Sequence, residues 1–524
     1  MTTTSEWQPA TTYAADSSLG SASAVGSAVG SAVGSALPLD SADASLGSSP
    51  PLDSSPSLGR PGAVGWTPAA PRRSLRIPGW WRDAVGSLTW ASVLVVIGLW
   101  VAGGGVHDLG EYASALTSLG RLTGLVSSDL LLIQVLLMAR IPMVERIYGQ
   151  DELARRHRLV GFTSFNLMLA HVLLITLGYA AQYSNNPLVE FWDFIVDYPG
   201  MLLALAGGLL LVMVATTSIR RARKRLRYES WHLLHLYAYL GVGLALPHQL
   251  WTGQEFLSSG VATVYWWSLW IAAAGAILVW RLGVPVYRTL AHQLRVVAVV
   301  PEGPDVVSVW MHGRNLHRLP VAAGQFFTWR FLSGPGWTRG HPYSLSAAPT
   351  HDTLRITVKD LGDGSRALAG VRPGTRVAIE GPYGRLHNGT RTRRRVTLLA
   401  AGIGITPLRA LLEEMPQSAG DVTLIYRARD DSDVVFRAEL DALATARGAR
   451  VFYVLGSRMP GRNSWLPHTA AQLTDAEALR QLVPDIAEHD VYLCGAQPWM
   501  EAAAAAALAT GVPAERIHQE RFAW

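Results

Sequence analysis

Six apolar stretches, each about as long as a helix that crosses a bilayer, occupy the first half of this 524-residue chain. Only 16% of all residues are charged, which is low for a wholly soluble protein. The pattern predicts a membrane α-helical bundle of six transmembrane helices. The stretches lie at residues 87–106, 122–141, 159–182, 200–219, 232–251 and 261–281.

Basic residues are concentrated beside alternate ends of these stretches. Arginines precede the first stretch, and Arg and Lys fill the second and fourth loops, whereas Asp and Glu occupy the other loops. Basic loops stay in the cytoplasm during membrane insertion. We therefore expect a multi-pass protein of the cell membrane, in contact with membrane lipid, with both termini in the cytoplasm.

Four histidines form two pairs on two of the apolar segments. His157 and His171 lie on the third, and His235 and His248 lie on the fifth. At about 1.5 Å of rise per helical residue, the members of each pair are roughly 20 Å apart along the axis. The expected topology also places His157 level with His235, and His171 level with His248. The four residues are predicted metal ligands of two stacked b-type haems, one near each side of the membrane.

The second pair fits a regular helix less well than the first. A separation of 13 residues turns the helix by about 220°, so His235 and His248 require a locally irregular helix. Gly241, Gly243 and Pro247 lie between them and can supply a kink. His232 competes with His235 as the ligand. A single histidine in an apolar helix is also often just a packed core residue.

Two further polar residues lie in the second stretch. Arg121 is at its outer end, where it either extends to the interface or serves as a partner for an outer-haem propionate or a reduced oxygen species. Asp129 is expected to face the interior of the bundle, because a charged side chain in lipid is costly.

The N-terminal segment has a composition unlike that of the apolar stretches. Residues 1–70 are rich in Ser, Ala, Gly and Pro, which predicts a disordered cytoplasmic tail without a signal-peptide pattern.

The chain has one cysteine, Cys494, which excludes a disulfide framework, a four-cysteine iron–sulfur cluster and a cysteine-built zinc site. An electron-transfer protein of this composition must use flavin, haem or both.

The segment 290–390 has the pattern of a small antiparallel β-barrel. Short alternating strands are separated by Gly and Pro, and the segment His341-Pro342-Tyr343-Ser344 lies between them. An aromatic ring and a hydroxyl beside a proline can stack on a flat ring and hydrogen-bond its edge. Gly364 and Ser365 lie in a turn whose backbone N–H groups can approach a pyrophosphate. This predicts an FAD-binding domain.

Residues 391–524 have the pattern of an α/β nucleotide-binding domain. The apolar strand at 395–401 leads into Gly402-Ile403-Gly404-Ile405-Thr406-Pro407 and then a helix, which is typical of a dinucleotide-phosphate site. Arg427, Ser457 and Arg458 follow later strands and can recognise a 2′-phosphate, which favours NADPH over NADH. A generic basic rim is the alternative interpretation.

The ordered motifs His-Pro-Tyr-Ser-Leu-Ser, Gly-Ile-Gly-Ile-Thr-Pro and Val-Tyr-Leu-Cys-Gly resemble the ferredoxin–NADP reductase superfamily. Joined to six helices with two histidine pairs, residues 85–524 resemble a bacterial form of the ferric reductase and NADPH oxidase family. The resemblance implies that residues 341–344 contact FAD and that Gly402, Gly404 and Thr406 hold the nicotinamide cofactor's pyrophosphate. It also implies that Cys494 and Gly495 lie near the nicotinamide. Either Phe522 or Trp524 would be the terminal aromatic that stacks on the flavin.

The expected function is transmembrane electron transfer from NADPH through FAD and two haems to an outer acceptor, either O2 or a ferric chelate. One alternative is an electron-delivery subunit for an extracytoplasmic protein partner. Another is a membrane-tethered NAD(P)H:flavin reductase without haem. We expect a small-molecule acceptor and no nucleic acid, and the sequence leaves self-association open. The predicted domains are a tail at 1–70, a haem-binding membrane domain at 85–285, the barrel at 290–390 and the α/β domain at 391–524.

Overall fold

The computed structural model describes residues 80–520, except for residues 224, 227, 254 and 335. The predicted tail at 1–70 and the terminal aromatics Phe522 and Trp524 lie outside these described residues.

The first half of the described chain is helical. Every predicted apolar stretch coincides with a helix, and the helices generally extend beyond the apolar residues. They are α1 (Trp80–Ala102), α2 (Tyr112–Met138), α3 (Pro142–Tyr148), α4 (Gln150–Tyr183), α5 (Pro187–Asp197), α6 (Met201–Ser218), α7 (Arg220–Arg223), α8 (Tyr228–Trp251), α9 (Gly260–Ala276) and α10 (Val284–His292), with a π-helical segment, Ile277–Gly283, joining α9 to α10.

Five of the described helical segments are long and apolar enough to cross a membrane: α1, α2, α4, α6 and the continuous segment Gly260–His292. Helix α8 has a comparable length but is less apolar, since it carries three histidines. Large apolar side chains such as Phe162 and Leu278 are exposed on these helices, 71% and 62% respectively. Such a surface suits contact with lipid better than contact with water.

Helix α8 is assigned as α-helical throughout, with the expected irregular residue, Pro247, inside it. The segment Tyr228–Trp251 therefore has no break between His235 and His248. Proline lacks the N–H that would bond to the carbonyl four residues earlier. The helix therefore loses one hydrogen bond at Pro247 without changing its helix type.

Glycines allow the helices to approach closely. A Cβ on Gly207 of α6 would lie 2.6 Å from the carbonyl oxygen of Gly241 on α8, and a Cβ on Gly241 would lie 3.0 Å from the carbonyl oxygen of Gly207. A Cβ on Gly124 of α2 would lie 2.5 Å from Nδ1 of His171 on α4. Small residues at such crossings bring the helix backbones together. The histidine-bearing helices α4 and α8 are thereby held against α2 and α6.

Six strands form the small barrel. Two three-stranded antiparallel sheets have the strand orders β1-β2-β5 and β4-β3-β6, and bridges at Arg295–Arg376 and Leu345–Ile356 join the sheets at both edges. Apolar side chains that include Phe327, Trp329 and Ile356 fill the interior. The elements are β1 (Arg295–Gly303), β2 (Val306–His312), β3 (Phe326–Phe331), β4 (His341–Ser344), β5 (Thr353–Lys359), α11 (Asp363–Arg366) and β6 (Val377–Tyr383).

A five-stranded parallel sheet follows the barrel, in the order β11-β10-β7-β8-β9, with helices packed on both faces. Its central strands are buried on both faces, as parallel strands covered by helices are. The elements are β7 (Val396–Ala401), α12 (Ile405–Glu414), β8 (Val422–Ala428), α13 (Arg437–Arg447), β9 (Arg450–Leu455), α14 (Asp475–Leu482), β10 (Asp490–Cys494), α15 (Gln497–Ala509) and β11 (Ile517–Gln519).

Candidate functional site

The rings of His157 on α4 and His235 on α8 face each other across the helix bundle. Their centroids are 5.9 Å apart. Nδ1 of His157 lies 3.3 Å from the carbonyl oxygen of Gln134, and Nδ1 of His235 lies 3.2 Å from the hydroxyl of Ser218. The carbonyl can only accept, so Nδ1 of His157 carries the proton and its Nε2 is left as a lone-pair donor.

His171 is held in the same manner nearer the other end of α4. Its Nδ1 lies 2.8 Å from the carbonyl oxygen of Gly120, so Nδ1 again carries the proton. His248 is close enough to His171 for an electrostatic interaction, and it also interacts with the backbone of Ala245 on its own helix. His157 and His235 are therefore in ring contact at one level of the bundle, and His171 and His248 lie within electrostatic reach of each other at the other.

The paired histidines present ring nitrogens that could hold a metal. Histidines that bind a metal usually give their other ring N–H to a carbonyl or similar acceptor, which fixes the tautomer and the ring orientation. Two imidazoles that hold the same metal ion, each through a nitrogen at about 2 Å, would have ring centroids about 6 Å apart. The centroids of His157 and His235 are 5.9 Å apart. Among the described residues no group of three or more His, Cys, Asp or Glu could hold a bare metal ion. The arrangement suits a planar iron macrocycle that needs only two protein ligands.

A cleft of about 1160 Å³ lies where the barrel meets the parallel sheet. It brings together most of the predicted cofactor residues from both domains. These are His341, Pro342, Tyr343, Ser344, Gly364, Ser365, Gly402, Gly404, Thr406, Arg427, Arg458, Cys494 and Gly495. A volume of this size is enough for extended cofactors.

The barrel side of the cleft has a polar group without a partner. Oγ of Ser344 is buried and makes no hydrogen bond among the described residues. Burial raises the pKa of the neighbouring Tyr343 to about 12, so its phenol stays neutral. A Cβ on Gly364 would lie 2.5 Å from Cε1 of His341, so the 362–365 turn can lie directly against this ring only with glycine there. A flat ligand with hydrogen-bonding edges would satisfy the Ser344 hydroxyl.

On the sheet side of the cleft, the turn at Gly402–Gly404 packs closely against the end of β10. Gly402 has φ +53° and open space around it, which suits glycine and leaves its backbone accessible. A Cβ on Gly404 would overlap the carbonyl oxygen of Cys494 at the end of β10. Helix α12 begins immediately afterwards, at Ile405, so its N-terminus faces the cleft. Backbone N–H groups and the helix dipole at this position favour a phosphate.

The thiol of Cys494 is held neutral. The side chain is 2% exposed, and burial, with a smaller contribution from Glu520, raises its pKa far above the ordinary thiol value. A thiolate is the nucleophilic form of cysteine, so this residue contacts a ligand as a small apolar group. Glu520, the last described residue of the C-terminal segment, is buried against Gly384 of the barrel.

The basic residues of the cleft divide into two kinds. Arg458 and Arg429 are exposed, but Arg427 is buried and donates to the backbone carbonyls of Ala428, Val454 and Ser457. Burial and nearby Arg458 lower the pKa of Arg427 to about 10. Arg427 therefore ties the ends of two strands together while it also lines the cleft, and its recognition of a 2′-phosphate stays a prediction.

Two other predicted cofactor residues do not line the cleft. Pro407 is buried in the core side of α12, because its position in the first turn of the helix points it away from the phosphate-binding face. Ser457 is exposed, and its hydroxyl lies 2.9 Å from Nδ1 of His468. The strand-end pattern could not distinguish the side of a turn that faces a cleft from the side that faces the core.

The cleft reaches the membrane helices. Ser230, in the first turn of α8, lines it, and His235 lies five residues further along the same helix, about 7.5 Å by helical rise. Beside this contact the carboxylate of Glu380 in β6 lies 3.8 Å from Nε of Arg140 and 3.9 Å from Arg281 of the π-helical segment. Arg288 of α10 also donates to the carbonyl of Gly381. The barrel is therefore fastened to the ends of several membrane helices.

Sequence reasoning missed several of these residues. Gln134 and Gly120 contribute backbone carbonyls, which no side-chain pattern can reveal. Ser218 and Ser230 are ordinary polar residues near helix ends. Glu380 has a detectable signal, since an acidic residue directly before the Gly-Pro-Tyr-Gly motif is unusual in a buried strand, but nothing in the sequence identifies its arginine partners.

Comparisons with known proteins agree with both halves. A family model described as the ferric reductase-like transmembrane component matches residues 123–246, and one described as the oxidoreductase NAD-binding domain matches residues 398–505. The ferredoxin reductase component of 3-ketosteroid-9-alpha-monooxygenase from Mycobacterium tuberculosis is 34% identical over 231 residues, which are 43% of this chain and 60% of that protein. The chain thus spans somewhat less than two thirds of this relative's length.

A second relative and a solved structure align with a similar share of this chain. The stachydrine N-demethylase reductase subunit of Rhizobium meliloti is 30% identical over 239 residues, 44% of this chain and 67% of that protein. The FAD/NAD-binding domain of nitric oxide dioxygenase from Vibrio cholerae aligns with a TM-score of 0.35 at 24% identity, covering 44% of this chain and 98% of that domain.

Proposed function

Because this chain joins a ferric reductase-like transmembrane component to an NAD-binding oxidoreductase domain, as members of the ferric reductase and NADPH oxidase family do, we propose that it is a transmembrane NADPH-dependent oxidoreductase. Electrons pass from cytoplasmic NADPH through FAD and two b-type haems to an acceptor on the outer face of the cell membrane. The observation that carries this proposal is the pair His157–His235, whose rings lie 5.9 Å apart and whose second member is on α8, the helix whose first turn lines the cofactor cleft.

Each part of the chain has a defined task in this proposal. Bound FAD accepts a hydride from a nicotinamide, and haem iron carries single electrons across the membrane. His341, Tyr343 and Ser344 position the flavin, and the turn at Gly402–Gly404 holds the dinucleotide phosphates at the start of α12.

The histidines and their supports hold the metal. His157 with His235, and His171 with His248, bind the two irons, and the carbonyls of Gln134 and Gly120 keep the rings of His157 and His171 in the ligating tautomer. His235 is favoured over His232 because its ring is the one that lies 5.9 Å from His157.

The acceptor is O2, giving superoxide, or a ferric chelate, giving Fe²⁺. Arg121 is paired with Asp108 and lies 3.5 Å from Glu255, so its charge is balanced at the outer end of α2. This ion-pair cluster offers no surplus positive charge to an anionic acceptor. Superoxide formation and Fe²⁺ release, measured on the same preparation, distinguish the two acceptors.

A second candidate function is electron delivery to a protein partner. Two of the relatives are named as reductase components of oxygenase and demethylase systems. In this case the chain would pass electrons from its cofactors to a separate protein, and a stable complex would copurify with it.

The test is a dithionite-reduced minus oxidised spectrum of the purified, detergent-solubilised chain with its haem-to-protein ratio. Two b-type haems are expected, with one lost in His157→Ala and the other in His171→Ala, and His232→Ala is the matched control that retains both. FAD without haem would overturn the transmembrane pathway and leave a membrane-tethered flavin reductase.

A further inference from the structure

Asp129 on α2 is a buried acidic residue within the membrane-spanning helices. It has no exposed surface, and among the described residues it takes part in no ion pair. Its side chain points towards α1 and α9, the two helices that provide its hydrogen-bond partners. An ionisable residue at this depth is rarely incidental, because burying it is costly.

The hydrogen bonds of Asp129 all fall on one of its two oxygens. The hydroxyl of Ser92 donates to Oδ1 at 2.7 Å, and the hydroxyl of Tyr265 donates to Oδ1 at 2.6 Å. These hydroxyl oxygens are 2.8 Å from each other, so the three oxygens form a closed triangle. Oδ2 is equally buried and has no hydrogen-bond partner among the described residues.

This asymmetry is the pattern of a neutral carboxylic acid. A carboxylate carries its charge on both oxygens and needs donors at each, whereas the protonated acid has one acceptor oxygen and one hydroxyl. A buried ionised carboxylate without a cation is strongly disfavoured, and such a group takes up a proton instead. Oδ1 accordingly acts as the acceptor, and Oδ2 is the oxygen that carries the proton.

The groups around Asp129 are otherwise neutral. Helix α1 contributes Ser92, and α9 contributes Tyr265, the one titratable group recorded in contact with Asp129 among the described residues. On α8, Gln249 donates to the hydroxyl of the adjacent Ser128 at 3.1 Å. No nearby fixed charge among the described residues thus determines the protonation state of Asp129. A transient charge in the bundle, such as an electron at a histidine pair, can therefore change that protonation state.

Asp129 lies between the two levels of paired histidines. On the same helix, the carbonyl of Gly120 holds His171 and the carbonyl of Gln134 holds His157. Helical rise places Asp129 about 13 Å from the first level and about 7 Å from the second along the axis. In a low-dielectric interior an electron at either level acts electrostatically on this carboxyl.

We propose that Asp129, Ser92 and Tyr265 form an intramembrane proton-binding site that is linked to the electrons passing between the histidine pairs. Each electron that arrives is matched by one proton taken up from water onto Oδ2 of Asp129, and its departure is matched by the release of that proton. The hydroxyls of Ser92 and Tyr265 fix Oδ1 as the acceptor, which leaves Oδ2 as the oxygen that takes up and releases the proton. The redox linkage rests on the proposed function, whereas the protonation of Asp129 does not.

The experiment is infrared difference spectroscopy of the purified full chain in H2O and D2O, oxidised and reduced. A protonated acid gives a C=O stretching band that is separate from the amide bands and shifts in D2O. The variant is Asp129→Asn, a neutral amide of the same shape. The matched control is Glu190→Gln, which removes another buried carboxyl, on α5. Tyr265→Phe, which removes one hydrogen bond to Oδ1, is the second variant in case Asp129→Asn does not fold.

The expected result is an acid band in the reduced protein that is weaker in the oxidised protein, absent in Asp129→Asn, shifted in Tyr265→Phe and retained in Glu190→Gln. The haem midpoint potentials of the wild type should also fall as pH rises, and less steeply in Asp129→Asn. In a haem-containing protein, a missing Asp129 band would overturn the proton site, and a band that is present but insensitive to reduction would overturn its linkage to the electrons. Absence of haem would instead overturn the proposed function and the redox linkage. In that case the acid band, identified by its shift in D2O, would still report whether Asp129 is protonated.

Discussion

The carboxylate of Glu380, on strand β6 of the barrel, lies 3.8 Å from Nε of Arg140, at the cytoplasm-facing end of α2 in the expected topology. The same carboxylate is 3.4 Å from Arg330 and accepts a hydrogen bond from the hydroxyl of Tyr383 at 3.1 Å. Arg140 also lies over the ring of Tyr383, with its guanidinium carbon 4.1 Å from the centroid. One buried acid thus joins the reductase half to the membrane half.

Glu380→Gln should weaken this connection. Surrounding arginines hold the pKa of Glu380 below its usual value despite burial, and removing one partner of a buried ion pair costs about 3–5 kcal/mol. We expect a lower Tm and slower haem reduction by NADPH, with flavin reduction retained. Glu488→Gln, at an exposed carboxylate that lies 3.5 Å from Arg395, is the control and should change the unfolding free energy by about 0.5 kcal/mol or less. Equal haem reduction rates in wild type and Glu380→Gln would contradict the coupling role.

Glu145 on α3 should make stability depend on pH. Burial raises its pKa from 4.5 to about 7, although Arg140 opposes the shift. The folded state therefore binds a proton more tightly than the unfolded state. Its stabilising contribution is complete below the unfolded pKa and is lost as pH rises through about 7, an effect of at most about 3 kcal/mol.

The measurement for Glu145 is the Tm of the detergent-solubilised chain at about pH 5 and about pH 7.5. The wild type should lose more Tm between these pH values than Glu145→Gln does. Glu152→Gln, which removes a carboxylate paired with exposed Arg155, controls for the general effect of losing an acid. Parallel pH profiles for the wild type and Glu145→Gln would show that Glu145 is not the responsible group.

Gly404→Ala should disturb nicotinamide cofactor binding. The added Cβ would overlap the carbonyl oxygen of Cys494, so the turn before α12 must move. A displacement of about 1 Å at such a site can cost about 100-fold in rate. We expect a large rise in the NADPH Kd with FAD content unchanged. Gly370→Ala, where a Cβ meets nothing within 4 Å, is the control, and unchanged NADPH binding in Gly404→Ala would refute the phosphate-binding role of the turn.

Ser218→Ala should loosen the haem that His235 would hold in the proposed function. The hydroxyl of Ser218 lies 3.2 Å from Nδ1 of His235 and accepts from Nε1 of Trp231 at 3.3 Å. Loss of an outer partner of a metal-binding histidine typically costs about 10–100-fold in metal affinity. Haem retention during dilution checks this, with Thr217→Ala on the same helix as control, since Thr217 bonds only to its own helix backbone. Equal retention in both variants would separate Ser218 from the haem site.

Arg458→Ala should reduce the preference for NADPH over NADH. Arg458 is exposed at the cleft, and a charge-assisted hydrogen bond is worth about 1.5–3 kcal/mol, so the KM for NADPH should rise about tenfold or more while the KM for NADH stays constant. Arg427→Ala is the comparison variant. It should mainly lower the Tm, because Arg427 is bound to backbone carbonyls. Equal effects of Arg458→Ala on both cofactors would contradict 2′-phosphate recognition.

The sequence alone was sufficient for the fold class. Apolar length, the alternating strands before residue 390 and the strand–glycine–helix pattern at 395–408 are local properties, and local patterns predict local elements. The helix limits were less accurate. Helix α4 begins at Gln150 rather than near 159, because its first turns carry charged residues such as Glu152 and Arg155 that an apolar pattern does not register.

The sequence also singled out the candidate ligands, but only the tertiary structure decided which side chains meet. It set the ring distance of 5.9 Å between His157 and His235, the pair already expected from the topology, bonded Arg427 to backbone carbonyls, and brought Ser92 and Tyr265 to Asp129 across 37 and 136 residues. The physical reason is that histidine spacing and apolar length are properties of residues close together in the sequence. Ion pairs, hydrogen bonds to backbone carbonyls and a shared proton site depend on distant segments packing together. Every residue also has the same backbone carbonyl, so the sequence cannot show which carbonyl will accept a hydrogen bond.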